Sequence, residues 1–289
     1  MDRTGAALFA LAGVQPTVVD QRRASDIGRH ARLELAFERR GPQTVLARSY
    51  AEPPLRIGRC FEEGAGAHAI VTSSAPGIFG GDCFRQIVQV GRGAHVRLTS
   101  QAALQIHASP SSEQARIQTT CTVDAGGLLQ CAWHPAIPFP NSHLQQRIEI
   151  DLARDSRLVW NDAFTAGRAA RGERWVFGRL AHQLVVRRCG SLEYLERYQV
   201  VPGAHDPGHP WVAGRGSYFG TVLASGWELS DEDVDDLHRA LAAISSLRAA
   251  ADLPGRRILL VRLVGESAVA FHAGCSATAE MLGGWFARS

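Results

Sequence analysis

The 289-residue chain contains no lysine, so its 31 strongly basic residues are all arginines. Schiff-base and pyridoxal chemistry, Walker-type phosphate binding and kinase-type catalysis each require a lysine, and these classes are therefore excluded. The formal charge is only +3 and is spread evenly along the chain. A nucleic-acid partner is not expected from such a balance.

Paired cysteine motifs and long apolar runs are also missing. The six cysteines form no C-x-x-C pair, which argues against a zinc ribbon or a thioredoxin motif, and we expect buried free thiols in a reducing cytosol. The apolar stretch Gly5 to Val14 is too short to span a membrane. Residues 1–28 are predicted to form a flexible N-terminal extension, with a signal peptide as the lesser alternative.

An alternation of apolar and polar residues dominates the chain from His30 to Val201 and indicates a mainly β protein. Three similar strand-turn-strand segments begin at Val90, Val123 and Leu152, about thirty residues apart. This spacing is typical of stacked β-units in a β-helix-like body, although ordinary hairpins in a sandwich fit the pattern equally well.

The pattern changes after Gly226, where helical periodicity begins. Ser230 is suited to cap a helix that reaches about Ala251; a strand at Arg257 to Val264 and a short helix at Ser276 to Phe286 follow. The sequence therefore predicts a β body at residues 29–226 and a small C-terminal α/β portion at 227–289 packed on that body.

The loop from Ala75 to Phe84 combines glycines with a single acid. Gly77, Gly80 and Gly81 allow positive φ and close backbone approach, and Asp82 ends the loop. An Asx-type turn, in which the Asp82 carboxylate bonds the next backbone N–H groups, is the favoured interpretation.

Two further segments place carboxylates in informative positions. Arginines and Glu173 lie between two glycines at 167–174, which predicts either a surface salt-bridge loop or a recognition segment. Glu193 and Glu196 should lie on opposite faces of one strand, with Glu196 facing a water-filled interior and Glu193 facing solvent. A carboxylate inside the body needs a partner, an ion or a water-filled passage.

Several segments, in this order and spacing, resemble the urease accessory proteins of the UreD family, also called UreH. The segments that carry the resemblance are Pro54-Leu55-Arg56, Pro76 to Asp82, Ala94-His95, Thr99 to Ala103, Pro135 to Phe139, Trp160 with Asp162, Gly167-Arg168 through Gly172-Glu173, and Leu195-Glu196-Arg197. The chain departs from the family pattern at Pro76, where a glycine is usual, and at Gln105 and His107, where a lysine and a tyrosine are usual.

The resemblance implies a cytoplasmic scaffold without catalysis of its own, which works with UreF and the GTPase UreG to deliver nickel to apo-urease. It further implies no permanently bound cofactor, a possible dimer within the accessory complex, and nickel(II) in transit through an internal tunnel. Carried over by position, the acids along that path are Asp82, Asp162, Glu173 and Glu196.

Two other functions remain open from the residues alone. A β-solenoid glycan hydrolase would use Asp82 and Glu196 as its carboxylate pair. A purely structural protein that assembles other subunits would need neither acid. Single acids strung along a passage suit the transfer of nickel better than a closed multi-ligand site, which would trap the ion.

Overall fold

The computed structural model describes residues 29–108, 113–255 and 257–288, so the predicted N-terminal extension lies outside the described residues. In chain order the elements are β1 His30–Arg40, β2 Gln43–Ala51, β3 Leu55–Glu63, β4 Gly66–Ser73, β5 Cys83–Val90, β6 His95–Ser100, β7 Leu104–Ile106, β8 Ala115–Val123, β9 Leu128–Ala132, β10 Ala136–Pro138, β11 His143–Leu152, β12 Arg157–Thr165, β13 Gly167–Arg168, a 3₁₀ helix Ala169–Arg171, β14 Glu173–Arg174, β15 Arg179–Arg188, β16 Ser191–Val200, β17 Tyr218–Ser225, α1 Asp231–Ala242, β18 Leu247–Gly255, β19 Ile258–Gly265 and α2 Ala268–Arg288.

The chain passes back and forth between two sheets. The first sheet has the strand order β16-β15-β11-β8-β5-β1-β2, and the second has the order β18-β19-β17-β12-β9-β6-β4-β3. The short strands β7 and β10 extend the second sheet beside β12, and β13 pairs with β14. Strands β5, β8, β11 and β15 are parallel neighbours in the first sheet, as are β4, β6, β9 and β12 in the second.

This alternation makes a β-solenoid-like body whose turns lie above one another. The Asp124 N–H donates to the Val90 carbonyl at 2.9 Å, and the Ala153 N–H donates to the Val123 carbonyl at 2.9 Å. The thirty-residue repeat in the sequence is therefore a set of stacked β-units, and the alternative of ordinary sandwich hairpins is wrong. The predicted mainly β, β-helix-like fold is confirmed.

The space between the sheets holds the larger apolar core. Every second residue of β8 is buried, from Ala115 to Val123, because successive side chains of a strand point to opposite faces. Leu158 and Trp160 of β12 enter the same core from the second sheet. Polar residues whose side chains point to the same inner faces are therefore held between the two sheets. These residues form the site described below.

A second core covers the outer face of the second sheet. Helices α1 and α2 pack on that face through side chains that include Leu237 and Phe271. Helix α1 begins with the predicted cap: the Ser230 hydroxyl accepts from the Asp233 N–H at 3.2 Å, and the Asp233 carboxylate accepts from the Ser230 N–H at 2.9 Å. Strands β17 and β19 continue the second sheet from β12, and the domain boundary at residue 226 stays a prediction.

The C-terminal elements differ from the sequence expectation in three places. The helix expected to reach Ala251 ends at Ala242, and Leu247–Gly255 is strand β18 instead. After the helix, Ser246 has a φ of +61° that turns the chain into β18, and pairing with β19 sets the strand conformation. Strand β17 was not expected, and α2 begins eight residues earlier than Ser276.

The strand expected to begin at Trp175 starts at Arg179, because Trp175 has a φ of +58°. All six cysteines are free, as expected. Burial is confirmed for Cys121 and Cys131, but Cys189 is exposed and the other three are half-buried, so the expectation of buried thiols holds only in part. Burial raises the pKa of Cys121 to about 12. In the described part of the chain, neither helix combines the length and the apolar character needed to cross a bilayer.

Candidate functional site

Two cavities between the sheets meet at Asp162. The first has a volume of about 340 Å³ and the second of about 530 Å³, and Asp162 lines both. The second cavity is also lined by His182, Glu196, Tyr198 and Arg262. The two cavities together place charged and polar side chains inside a body whose core is otherwise apolar.

The first cavity has one polar and one aromatic wall. Gln86, Thr119 and Gln146 project from neighbouring strands of the first sheet. Trp133 and Trp160 line the cavity from the second sheet, with their ring centroids 6.1 Å apart in an edge-to-face arrangement. These walls offer neutral hydrogen-bonding groups that can replace part of the hydration shell of an ion or small molecule without binding it tightly.

Asp162 faces the space between the sheets because alternate residues of a strand point to the same face, and Leu158 and Trp160 of β12 also point there. Its side chain is 15% exposed, and its Oδ2 atom lies 3.5 Å from His182 Nδ1. Among the described residues, Oδ2 has no hydrogen-bond partner. Burial raises the pKa of the Asp162 carboxyl, although the neighbouring His182 acts in the opposite direction.

His182 completes this junction and was not singled out in the sequence. Its Nδ1 atom lies 3.4 Å from Gln146 Oε1, and its ring stacks on Tyr198 with centroids 4.8 Å apart. Burial raises the pKa of Tyr198 well above its usual value, so the phenol is neutral at physiological pH. The sequence contains one signal that could have identified His182. It lies midway between Leu180 and Leu184 in β15, so strand alternation places its side chain on the inner face with theirs.

Glu196 faces inward as predicted, and its residue is 6% exposed. The sequence led us to expect an unpaired carboxylate in water-filled space, and this is wrong. Glu196 forms a close ion pair with Arg262 of β19. The Tyr194 hydroxyl donates to Glu196 Oε2 at 3.4 Å, and Arg262 also donates to Thr221 Oγ1 at 3.1 Å. Burial acts to lower the pKa of Arg262, but the hydrogen bond and the charge of Glu196 outweigh it and raise the pKa, so the guanidinium stays protonated.

Glu193 does not face solvent, which contradicts the sequence expectation. Its side chain is 15% exposed, pairs with Arg188 at 2.9 Å and accepts from Ser225 Oγ at 3.0 Å. A register shift between Val186 and Arg187 locally interrupts the alternation of strand faces. Glu193 therefore joins the ends of two sheets rather than lying on an outer surface.

Asp82 closes the glycine-rich loop. Its carboxylate is 2% exposed and accepts from the Arg29 N–H at 2.8 Å and the Phe79 N–H at 3.0 Å. A Cβ atom on Gly77 would lie 2.2 Å from the Gln105 carbonyl, and Gly81 has a φ of +87°. The Asx-type interpretation is wrong in its partners, because Asp82 bonds the N–H groups of Phe79, three residues earlier, and of Arg29, rather than those that follow it. A role for Asp82 in binding nickel stays a prediction.

Glu173 lies in a surface ion pair. Arg168 donates to both of its carboxylate oxygens, at 2.5 and 2.8 Å, and the Arg168 guanidinium lies 4.0 Å from the Phe139 ring centroid. Both charged side chains are about a quarter exposed. Of the four acids assigned to the path by resemblance, Asp162 and Glu196 share a cavity, whereas Asp82 and Glu173 are engaged with arginines or backbone groups elsewhere.

A glycosidase pair made of Asp82 and Glu196 is not supported by the strand order. Asp82 immediately precedes β5, and Glu196 lies in β16, four strands away in the same sheet. Four strand spacings of about 4.8 Å separate them by about 19 Å. Carboxylate pairs in glycosidases lie about 5–9.5 Å apart.

The three departures from the UreD pattern lie near one end of the first cavity. Pro76 and Gln105 line it beside Gly77. The ring of His107 stacks on Phe79 with centroids 4.4 Å apart. Pro76 and Gln105 therefore alter the wall of the first cavity, whereas His107 packs beside Gly77 and Phe79.

Fold and site together define a β-solenoid protein with two adjoining cavities that open to solvent and contain sparse charged groups. No group of three or more His, Cys, Asp or Glu side chains that could hold a metal occurs within residues 29–108, 113–255 and 257–288. The chain belongs to the UreD urease accessory protein family, whose model matches residues 29–288.

Curated relatives carry the same description. A urease accessory protein UreD of Sorangium cellulosum is 35% identical over 250 residues, which cover 84% of this chain and 74% of the relative. UreD 2 of Streptomyces griseus is 31% identical, with 82% and 83% covered. UreD of Haloarcula marismortui is 29% identical, with 90% and 88% covered.

Proposed function

We propose that this protein is a cytoplasmic scaffold and nickel conduit in the maturation of the urease metallocentre, where it works with UreF and UreG on apo-urease. The observation that carries the proposal is that Asp162, an acid whose side chain is only 15% exposed, lines both cavities. Membership of the UreD family supports the link with urease maturation. Nickel(II) is the cargo in transit, no permanently bound cofactor is required, and the accessory complex could contain two copies of this chain.

The chemistry of the cavity walls suits transfer rather than storage. Nickel(II) accepts carboxylate, imidazole and water ligands, and Asp162 and His182 offer the first two at one point. A closed site with three or four protein ligands would hold the ion for long times. Conduction instead requires binding that is strong enough to admit the ion and weak enough to release it.

The charge balance of the second cavity limits how strongly a cation is held there. Glu196 is paired with Arg262, whereas Asp162 lies beside the imidazole of His182 rather than an arginine. A single buried carboxylate attracts a divalent ion through a low-dielectric interior without creating a deep trap. This balance supports passage through the body.

A strain that lacks this gene tests the proposal. Urease should be made at normal levels in that strain but should contain little nickel at low external nickel, because the protein delivers the metal rather than folding the enzyme. Metal analysis of purified urease measures the outcome, and reintroduction of the intact gene is the control. Normal nickel content in the deletion strain would contradict the proposal.

A further inference from the structure

The junction of the two cavities brings three potential metal-ligating atoms together. Asp162 Oδ2 and Gln146 Oε1 both lie within 3.5 Å of His182 Nδ1. We propose that His182 and Asp162, assisted by Gln146, form a transient nickel site in which the imidazole selects nickel over magnesium and calcium. Nickel as the cargo rests on the proposed function above.

The spacing of these atoms fits a shared metal ion. Nitrogen and oxygen ligands lie about 2.1 Å from first-row divalent ions such as zinc. Two ligand atoms 3.5 Å apart, as in Asp162 and His182, then subtend an angle of about 110° at the ion. Gln146 Oε1, 3.4 Å from the same ring nitrogen, gives a similar angle. An ion can therefore replace the Nδ1 proton as the link between these side chains.

The site is held by strands of both sheets. Gln146 and His182 are direct partners in the parallel pairing of β11 with β15, and Tyr198 is the partner of His182 across β16. Asp162 reaches the junction from β12 in the opposite sheet. Because the ring of His182 is 4% exposed and stacks on Tyr198, its orientation is fixed before an ion arrives.

Ligand type accounts for selectivity. Imidazole suits nickel and its neighbours, whereas magnesium and calcium prefer carboxylate, carbonyl and water oxygens. Without His182, the junction would retain the carboxylate of Asp162 and the amide oxygen of Gln146, which favour the hard ions. With one carboxylate, one imidazole and one amide rather than a set of charged ligands, the site can also release nickel.

Metal binding to the purified full chain tests this inference. Calorimetric titration should show that His182→Asn weakens nickel binding at least about tenfold and changes magnesium binding less than about twofold. Asp162→Asn should weaken the binding of both ions, because it removes the charge. His30→Asn is the control, since His30 lies at the exposed start of β1 and lines neither cavity. Thermal unfolding confirms that each variant is folded.

X-ray absorption of the nickel-loaded wild-type chain gives a readout that requires no variant. Scattering from an imidazole ligand is expected, and a shell of oxygen ligands alone would overturn the inference. Equal nickel affinities for wild type and His182→Asn, or equal losses for His182→Asn and His30→Asn, would overturn it too. If nickel binding depends on His182 but urease gains nickel normally without this gene, the nickel site is supported and the proposed conduit is contradicted. If urease needs the gene to gain nickel but His182→Asn leaves nickel affinity unchanged, the conduit is supported and the selective site is contradicted.

Discussion

The ion pair between Glu196 and Arg262 predicts unequal costs for removing its two members. Removing one member of a buried pair costs about 3–5 kcal/mol, whereas an exposed pair contributes about 1 kcal/mol or less. Glu196 has a 5% exposed side chain, and that of Arg262 is 48% exposed. Arg262→Gln leaves a buried carboxylate with the Tyr194 hydroxyl as its remaining partner, so we expect a loss of about 2 kcal/mol after solvent screening. Glu196→Gln leaves an arginine that water can reach, and about 1 kcal/mol or less should be lost.

Thermal unfolding measures this difference. At about 2.1 cal/mol/K per residue, unfolding the described part of the chain has an entropy of about 0.5 kcal/mol/K. Arg262→Gln should therefore lower the Tm by about 4 °C and Glu196→Gln by about 2 °C or less. The double variant should resemble Glu196→Gln, because the unpaired buried charge is then absent.

A matched control is the pair of Arg147 with Glu149 on the surface, whose side chains are 55% and 32% exposed. Arg147→Gln should lower the Tm by about 1 °C or less. Equal losses for Arg262→Gln and Arg147→Gln would refute the reasoning, since they would mean that Glu196 is hydrated in the fold. A larger loss for Glu196→Gln than for Arg262→Gln would refute it as well.

Three further substitutions follow from the structure. Asp162→Asn should be as stable as wild type or more stable at pH 7, because burial raises the pKa of the Asp162 carboxyl and its ionised form therefore destabilises the fold. Urea unfolding between pH 8 and pH 5 measures the difference in unfolding free energy between the two proteins. This difference should shrink as the pH falls towards about 3.9, the pKa of the carboxyl in the unfolded chain. Asp82→Asn should cost about 2 kcal/mol in urea unfolding, because an amide cannot accept both backbone N–H bonds, and an unchanged midpoint would contradict this. Gly77→Ala should cost about 2–3 kcal/mol through its clash with the Gln105 carbonyl, while Gly203→Ala, with no described atom within 4 Å, should stay within about 0.5 kcal/mol.

The sequence predicts the body of the fold because each local rule agrees with the final structure. Strict alternation along Ala115–Val123 identifies a strand with one buried face. The repeated turns at Val90 and Val123 indicate stacking, since the same local chain path recurs at a fixed spacing. The cap formed by Ser230 uses contacts within three residues, which a sequence reveals directly.

The C-terminal strand β18 could not be predicted in this way. Leu247–Gly255 contains three consecutive alanines, which favour helix, and its strand conformation is set by pairing with β19. Tertiary pairing of this kind overrides local propensity. Strand β17 was missed because its neighbours in the sheet, β12 and β19, lie far from it in sequence.

The candidate site was predictable only in part. The inward direction of Glu196 follows from strand alternation, but its partner Arg262 lies 66 residues away and is found only through the order of the strands. The contact of Asp162 with His182 depends on two sheets that face each other. The family resemblance supplied Asp162, whereas the imidazole beside it needed the structure.

The nickel content of urease matured with Asp162→Asn tests the central claim most directly. Co-purification first establishes that the variant still assembles with its partners, and Asp151→Asn, an exposed acid on β11, serves as the matched control. At limiting nickel we predict that Asp162→Asn leaves urease with several-fold less nickel than wild type, because the amide lacks the charge that attracts the ion. Equal nickel content in all three, with assembly intact, would contradict the conduit and indicate a purely structural assembly protein.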